Sequence, residues 1–236
     1  MSSLDPLVPY LFAGYKARWS DRRWALLRAL AEGRNPGGQA EAAVTAALCA
    51  VDGPVGRAIA NIILEHAGQA AHPAAEMIKP GEYAVLRGRR SPDIGVRDAA
   101  SGRLLLAGEC KRYAHINGGF GYCPLDPGGY SNQVICYQHG CWAYPGALAG
   151  AGLLWLHPSG TLPWGDGLHE GLLSNPNWVR YAGGDPGLLR HWIDTQHAAA
   201  GRWHTAAWQD MVPLFRNLHE PAADVIAAIV ETWLAR

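Results

Sequence analysis

Apolar residues recur every three or four positions through the first third of the chain, and Trp24, Leu27 and Leu30 form the clearest run. This spacing places the three side chains on one face of a helix. Glycine, alone or with proline, separates three stretches of this kind. Helices are predicted over residues 20–31, 40–51 and 55–67. Residues 1–70 are therefore predicted to be a helical part of the protein.

Short apolar runs with β-prone residues replace the helical spacing after residue 70. Strands are predicted over residues 83–87, 92–97, 104–111 and 152–157, and a helix over residues 133–139. Many glycines and two prolines lie in residues 117–130, so this stretch is predicted to be irregular. The order helix, strand, strand, strand, helix, strand predicts an α/β fold, with a central mixed β-sheet and flanking helices, in residues 71–160.

Glycine, proline, asparagine and tryptophan are frequent in residues 160–187, which are predicted to be loops with a short edge strand at 178–181. Helices are predicted over residues 188–200 and 222–234. The last helix carries an apolar stripe, for which core packing is the first interpretation and formation of a homodimer the second. A chain of 236 residues is predicted to be one domain, with residues 161–236 as its loop-rich and helical C-terminal part.

The charge of the chain is balanced, with 20 basic and 20 acidic side chains. General-purpose nucleic-acid binders are usually basic, so this balance counts against a protein of that class. A local cluster can still contact phosphates, and Arg89, Arg90 and Arg112 are the candidates, with Arg87 beside them. The alternative interpretation of each arginine is a solvated surface charge.

The cysteines bear on the compartment and on zinc. Five cysteines, without a signal-peptide pattern or an apolar stretch of membrane-spanning length, predict a reducing, cytoplasmic compartment and no membrane partner. A structural zinc site needs four ligands in compact pairs, and Cys136 and Cys141, with Cys123 upstream, lack the second pair. Zinc is therefore not expected.

One stretch of the chain carries the residue types that phosphodiester chemistry needs. Pro92 and Asp93 open an apolar run, and Glu109, Cys110 and Lys111 end the next one. A hairpin of these two runs would bring both carboxylates and the ammonium to one edge of a sheet. Carboxylate oxygens suit Mg²⁺, and a metal ion held beside a lysine can activate water against a phosphodiester.

This spacing resembles that of the PD-(D/E)xK nucleases, the restriction-endonuclease-like superfamily, over residues from about 65 to 137. The resemblance implies a restriction-endonuclease-like core and a metal-dependent deoxyribonuclease, with Mg²⁺ (or Mn²⁺ as a substitute) as cofactor and DNA as partner. It also implies that Asp93, Glu109 and the backbone carbonyl of Cys110 hold the metal ion. Lys111 would then orient the attacking water or stabilise developing negative charge.

The resemblance implies further site residues. Many members of the superfamily add an acidic residue from the helix that precedes the sheet. Glu65 is the first candidate and Glu41 the weaker one, because Glu41 lies one helix further back; a solvated glutamate is the alternative. Gln133 and Tyr137 resemble the Q-x-x-x-Y helix motif of RecB-like nucleases. Residues four apart share a helix face, so both side chains are expected to point at the site.

Three classes of function follow from these patterns. The first is a Mg²⁺-dependent endonuclease: a bacterial restriction or defence enzyme is preferred for its compact size, and a repair or recombination nuclease and a DNA-cleaving toxin are the alternatives. The second class is a non-catalytic DNA-binding protein on the same fold. The third is an unrelated α/β protein with a fortuitous match. The sequence leaves open the cleavage site, DNA versus RNA, endonuclease versus exonuclease, and the oligomeric state.

Overall fold

The structure is a computed structural model, and it describes residues 4–8, 10, 21–36, 40–79, 92–111, 118–120, 130–132, 135, 151–158 and 170–235. These residues contain seven α-helices: α1 (Asp21–Ala31), α2 (Glu41–Ala50), α3 (Gly53–His66), α4 (Pro176–Tyr181), α5 (Pro186–Ala200), α6 (Trp208–Arg216) and α7 (Pro221–Leu234). A 3-10 helix, Glu170–Ser174, precedes α4.

The same residues contain seven β-strands: β1 (Ala75–Met77), β2 (Ile94–Asp98), β3 (Leu104–Cys110), β4 (Gly118–Phe120), β5 (Tyr130–Asn132), β6 (Gly152–His157) and β7 (Trp203–Ala207). Five of them form a mixed sheet in the order β1-β2-β3-β6-β7. β1, β2 and β3 are antiparallel neighbours, whereas β6 runs parallel to β3 and β7 parallel to β6. β3 is therefore the central strand, and an antiparallel half of the sheet meets a parallel half along it.

Helices from both ends of the chain cover one face of this sheet. The buried cluster on that face joins residues of α1, α2, α3, α6 and α7 to Val96, Leu106 and Leu154 of the sheet. Phe215 and Trp233 are fully buried there. Burying each such side chain stabilises the fold by about 1.5–3 kcal/mol. The first and last parts of the chain thus share one core.

The opposite face of the sheet has a smaller apolar cluster. It contains Leu153 and Trp155 of β6, Trp203 of β7 and Ala199 near the end of α5. The rings of Trp155 and Trp203 meet edge to face, with centroids 5.8 Å apart. Because side chains alternate along a strand, Ala107 of β3 faces this cluster while Leu106 faces the other.

A glycine allows the tight connection between α2 and α3. The carbonyl oxygen of Val51 would lie only 2.2 Å from a Cβ atom on Gly56. The Gly56 amide donates a hydrogen bond of 3.1 Å to the carbonyl of Asp52, in the first turn of α3. Any larger residue at position 56 would push the end of α2 away from α3.

The sequence predicted most of these elements. The helices predicted over 20–31, 40–51, 55–67, 188–200 and 222–234 correspond to α1, α2, α3, α5 and α7, and the strands predicted over 92–97, 104–111 and 152–157 to β2, β3 and β6. The α/β class and the mixed sheet are confirmed, and the strands that lead to Asp93 and Glu109 are adjacent.

Two predictions in the loop-rich segments are wrong. The edge strand predicted at 178–181 is part of α4, because Pro176 starts the helix and the Asn175 side chain caps it by accepting a 3.0 Å hydrogen bond from the Asn177 amide. The stretch 117–130, predicted to be irregular, has paired strands at its ends, since β4 and β5 are antiparallel neighbours. Glycine weakens a strand but does not prevent a short ladder.

Three elements without a clear sequence pattern, β1, β7 and α6, were missed. β1 has only three residues, and α6 contains Pro213, which argues against a helix interior. The predicted strand 83–87 lies outside the described residues, as does the helix 133–139 apart from Ile135, which is helical. In the described part of the chain no single helix has the length and apolar composition to cross a membrane; α2 and α3 meet those criteria only as a pair bent by 118°.

Candidate functional site

Asp93 and Glu109 lie side by side at one end of the sheet. The antiparallel register pairs Ile94 with Gly108, and the Asp93 amide donates a hydrogen bond of 3.0 Å to the Gly108 carbonyl. One position further along each strand, Asp93 therefore lies opposite Glu109. The side chains of such cross-strand partners point to the same face of the sheet. The predicted placement of the two carboxylates on one side of the sheet is confirmed.

The ammonium of Lys111 lies where these carboxylates converge. Its Nζ atom is 2.7 Å from Oε2 of Glu109 and 3.1 Å from Oδ2 of Asp93. A third carboxylate oxygen, Oε1 of Glu41, lies 3.5 Å from it. The expected grouping of Lys111 with both acids is confirmed, and the structure adds Glu41 from the first turn of α2.

Glu65, the first candidate for the helical acid, lies elsewhere. It is exposed in the last turn of α3. Gln69 follows that helix, and its side chain comes within 3.0 Å of the position that a Cβ atom on Gly152 would occupy. Gly152 is the first residue of β6. It precedes Trp155, the residue that pairs with Glu109, by three residues, or about 10 Å along the strand. The structure thus corrects the choice between the two glutamates, because α3 carries Glu65 away from the carboxylates that Glu41 joins.

Solvent reaches the site unevenly. The side chain of Glu109 is 2% exposed, whereas those of Asp93 and Glu41 are 31% and 28% exposed. Glu109 therefore forms the buried floor of the site. A ligand would approach from the side of Asp93 and Glu41.

The charge on Lys111 is stabilised by its neighbours. Burial alone would lower the pKa of Lys111, but the carboxylates of Glu109, Asp93 and Glu41 outweigh burial and raise the pKa well above its usual value. Lys111 is therefore an ammonium at neutral pH. A raised lysine pKa stabilises the folded state at every pH below its unfolded value, and this contribution is lost only as the pH rises through the folded value.

Cys110 contributes its backbone to the site and its thiol to the core. Its amide donates a hydrogen bond of 3.0 Å to Oδ2 of Asp93, so one carboxylate oxygen of Asp93 contacts both this amide and Lys111. The thiol is buried in the helix-covered core with Cys49 of α2, and burial raises the pKa of both thiols. They are therefore protonated at neutral pH. The predicted metal contact of the Cys110 carbonyl stays a prediction.

The main chain of Lys111 is held from two directions. Its amide donates a hydrogen bond of 2.9 Å to the carbonyl of Leu156 in β6. Its own carbonyl accepts one of 3.3 Å from the indole N–H of Trp208, the first residue of α6. Trp208 is fully buried. Nothing in the sequence pointed to this contact, because 97 positions separate the two residues.

The remaining predicted site residues lie outside the described part of the chain: Gln133, Tyr137, Arg89, Arg90 and Arg112. Their roles stay predictions. Two neighbouring residues are described: Oδ1 of Asn132 accepts a 3.1 Å hydrogen bond from the Ile135 amide. Asn132 is buried and also donates to the side chain of Gln196 in α5.

The donor set of the site fits a divalent cation in its chemistry. Glu41, Asp93 and Glu109 offer only carboxylate oxygens, the ligands that Mg²⁺ prefers. With Lys111 they carry a formal charge of −2, from three carboxylates and one ammonium. In the described residues, no group of three or more histidine, cysteine, aspartate or glutamate side chains is already arranged around a metal position. The ammonium of Lys111 lies among the carboxylates instead.

Comparison with known proteins gives no relationship for this chain: it matches no protein-family model, no curated protein and no solved structure.

Proposed function

We propose that this chain is a metal-dependent nuclease that hydrolyses phosphodiester bonds of DNA, on a restriction-endonuclease-like core. The observation that carries the proposal is the convergence of Asp93 and Glu109 on the ammonium of Lys111, at 3.1 and 2.7 Å. The order of elements is compatible with it, because α3 is followed by the antiparallel strands β1, β2 and β3, and β6 then runs parallel to β3.

The side chains of the site divide the chemical work. A bound Mg²⁺ would supply an activated water and neutralise charge on the phosphate. Asp93 and Glu109 would hold this cation, and Glu41 would add a third oxygen ligand. Lys111 cannot accept a proton at neutral pH, because its pKa is raised. Its role is therefore electrostatic: it stabilises the negative charge that develops on the phosphate oxygens.

The proposal extends to the class of enzyme and its cofactor. A bacterial restriction or defence endonuclease is proposed, with Mg²⁺ and with Mn²⁺ as a substitute. Ca²⁺ should support binding of DNA without efficient turnover, since its larger radius and irregular coordination misplace the attacking water. The direct test is plasmid cleavage with each cation and with excess chelator. Equal cleavage in chelator would refute the metal mechanism.

Lys111→Ala separates a catalyst from a DNA-binding protein. We expect hydrolysis to fall by about two or three orders of magnitude, the usual loss of a group that stabilises transition-state charge. Binding of Mn²⁺, measured by titration, should become tighter, because the ammonium no longer occupies the space between the carboxylates. Asp93→Ala should weaken both binding and turnover. Cleavage by Lys111→Ala at the parent rate would refute the catalytic role of Lys111 and with it the proposed site. A parent protein that binds DNA but cleaves none with any of these cations would leave a non-catalytic DNA-binding protein as the better interpretation.

A further inference from the structure

The carbonyl of Lys111 receives a hydrogen bond from outside its own sheet. Lys111 is the first residue after β3, so its carbonyl lies just beyond the strand ladder. The indole N–H of Trp208 donates to that carbonyl across 3.3 Å. This carbonyl is partly buried, and a carbonyl shielded from water costs free energy when it has no donor. Trp208 therefore satisfies a polar atom that belongs to the main chain of the site lysine.

The indole that makes this contact is itself rigidly placed. Trp208 follows directly on β7, whose last residues pair with the end of β6. Its ring is fully buried and meets the ring of Trp233 in α7 edge to face, with centroids 5.6 Å apart and planes at 85°. The packing of α6 on α7 therefore holds the indole N–H of Trp208 at a fixed position beside the end of β3.

We propose that Trp208 is a positioning residue for Lys111. By holding the Lys111 carbonyl, it fixes the base of a flexible four-carbon side chain. The ammonium then stays within reach of the carboxylates of Glu109 and Asp93, and functional groups of this kind must be held within about 0.5 Å of the productive geometry. This inference rests on the proposed nuclease function for its consequence on rate, but the contact itself can be tested without cleavage.

The competing interpretation is that Trp208 only fills the core, and Trp233 offers a matched control. Both indoles are fully buried in one cluster and pack against each other. The indole N–H of Trp233, however, has no hydrogen-bond partner among the described residues. Replacing either residue by phenylalanine removes similar apolar surface, but only Trp208→Phe removes the hydrogen bond to Lys111.

The kinetic test compares Trp208→Phe with Trp233→Phe. Both variants should lose thermal stability with the lost apolar contact, and Trp208→Phe should lose somewhat more, because it also leaves the Lys111 carbonyl without its donor. Only Trp208→Phe should lower the rate of cleavage at saturating DNA and Mg²⁺, by about threefold to tenfold, which is the range that one hydrogen bond supports. KM for DNA should stay unchanged. An equal loss of rate in both variants, or a parent-like rate in Trp208→Phe, would overturn the positioning role.

A spectroscopic test separates this inference from the proposed function. The chain has only three lysines, so ¹⁵N-labelled lysine gives a simple spectrum in which the ammonium of Lys111 can be assigned. Trp208→Phe should shift or broaden that signal, and Trp233→Phe should leave it unchanged. A parent protein that cleaves no nucleic acid would refute the proposed function, and this signal would still decide whether Trp208 holds Lys111. An unchanged signal in Trp208→Phe would overturn the inference.

A second variant covers the case in which Trp208→Phe does not fold. A tryptophan analogue with sulfur in place of the ring N–H, incorporated at position 208, keeps the shape of the indole and removes only the donor. We expect the same shift of the Lys111 signal and the same loss of rate as for Trp208→Phe. A parent-like signal and rate in this protein would refute the role of the hydrogen bond.

Discussion

The ammonium of Lys111 lies within 3.5 Å of three carboxylates, which differ in their exposure to solvent. Glu109 is almost completely buried, whereas Asp93 and Glu41 are about one-third exposed. An ammonium in this position keeps three like charges together in the absence of a metal ion, since each carboxylate would otherwise repel the other two. Lys111 therefore has a structural effect as well as its proposed catalytic one.

The placement of Glu41 leads to a paired test of the two helical acids. Glu41→Gln keeps the shape of the side chain and removes a carboxylate from the cluster around Lys111. We expect the affinity for Mn²⁺ to fall by about tenfold or more, the size seen when a group that supports a metal site is lost. Glu65→Gln, on the exposed end of α3, should bind Mn²⁺ like the parent. The prediction is wrong if the two variants bind the ion equally well.

The choice between these glutamates could not be made from the sequence. The sequence favours Glu65 because it lies on the helix that directly precedes the sheet, but distance along the chain does not give the direction of that helix. Gln69, just after that helix, lies against Gly152 at the start of β6, while the first turn of α2 comes close to Lys111 across 70 positions of sequence. Asp93 and Glu109 were predictable because a hairpin and strand alternation fix their positions locally.

Among the secondary-structure elements, predictability followed the strength of the local pattern. β6 was predicted with its bounds, because Gly152–His157 is a continuous apolar run between glycine and proline. β7 and α6 were missed, since Trp203–Ala207 has exposed polar positions and Pro213 interrupts the helical signal. The contact between Trp208 and Lys111 depends on those two missed elements, so no local pattern could reveal it.

Adding one methyl group at Gly56, beside the connection between α2 and α3, should have a large effect on stability. Gly56→Ala would place a Cβ 2.2 Å from the carbonyl oxygen of Val51, so the end of α2 must shift. We expect a loss of about 1–3 kcal/mol in the free energy of unfolding, as for other overpacked sites. Urea denaturation measures it. Gly201→Ala is the control, because its Cβ would be 3.8 Å from the nearest atom outside its neighbours; a similar loss in both variants would contradict the steric explanation.

Over the whole molecule, the first and last helices are parts of one structure. The amide of the Asn35 side chain, just after α1, donates a hydrogen bond of 3.2 Å to the carbonyl of Trp233 in α7. The side chains of α1, α2 and α7 lie in one buried cluster. Loss of packing in α7 should therefore destabilise the helices at both ends of the chain together.

Trp233→Ala tests this shared core. We expect it to lower the free energy of unfolding by about 3–5 kcal/mol, the usual cost of emptying a buried aromatic site. Urea unfolding followed by far-ultraviolet circular dichroism and by fluorescence should give coincident transitions, as for one cooperative unit. Tyr181→Ala, at a side chain that is 61% exposed, should change stability far less. Two separate transitions in the parent would contradict a single unit.

Among the described residues, two edge-to-face tryptophan pairs give the protein an internal optical label on each side of its sheet. Trp208 and Trp233 meet among the helices of one face, and Trp155 and Trp203 meet on the other. Indole rings at such short separations couple their electronic transitions and produce an exciton couplet in the ultraviolet. Each pair belongs to one layer, so the amplitude of its couplet reports whether that layer is assembled. Substituting one ring of either pair would assign the two couplets, and the order in which the layers come together could then be followed without an added dye.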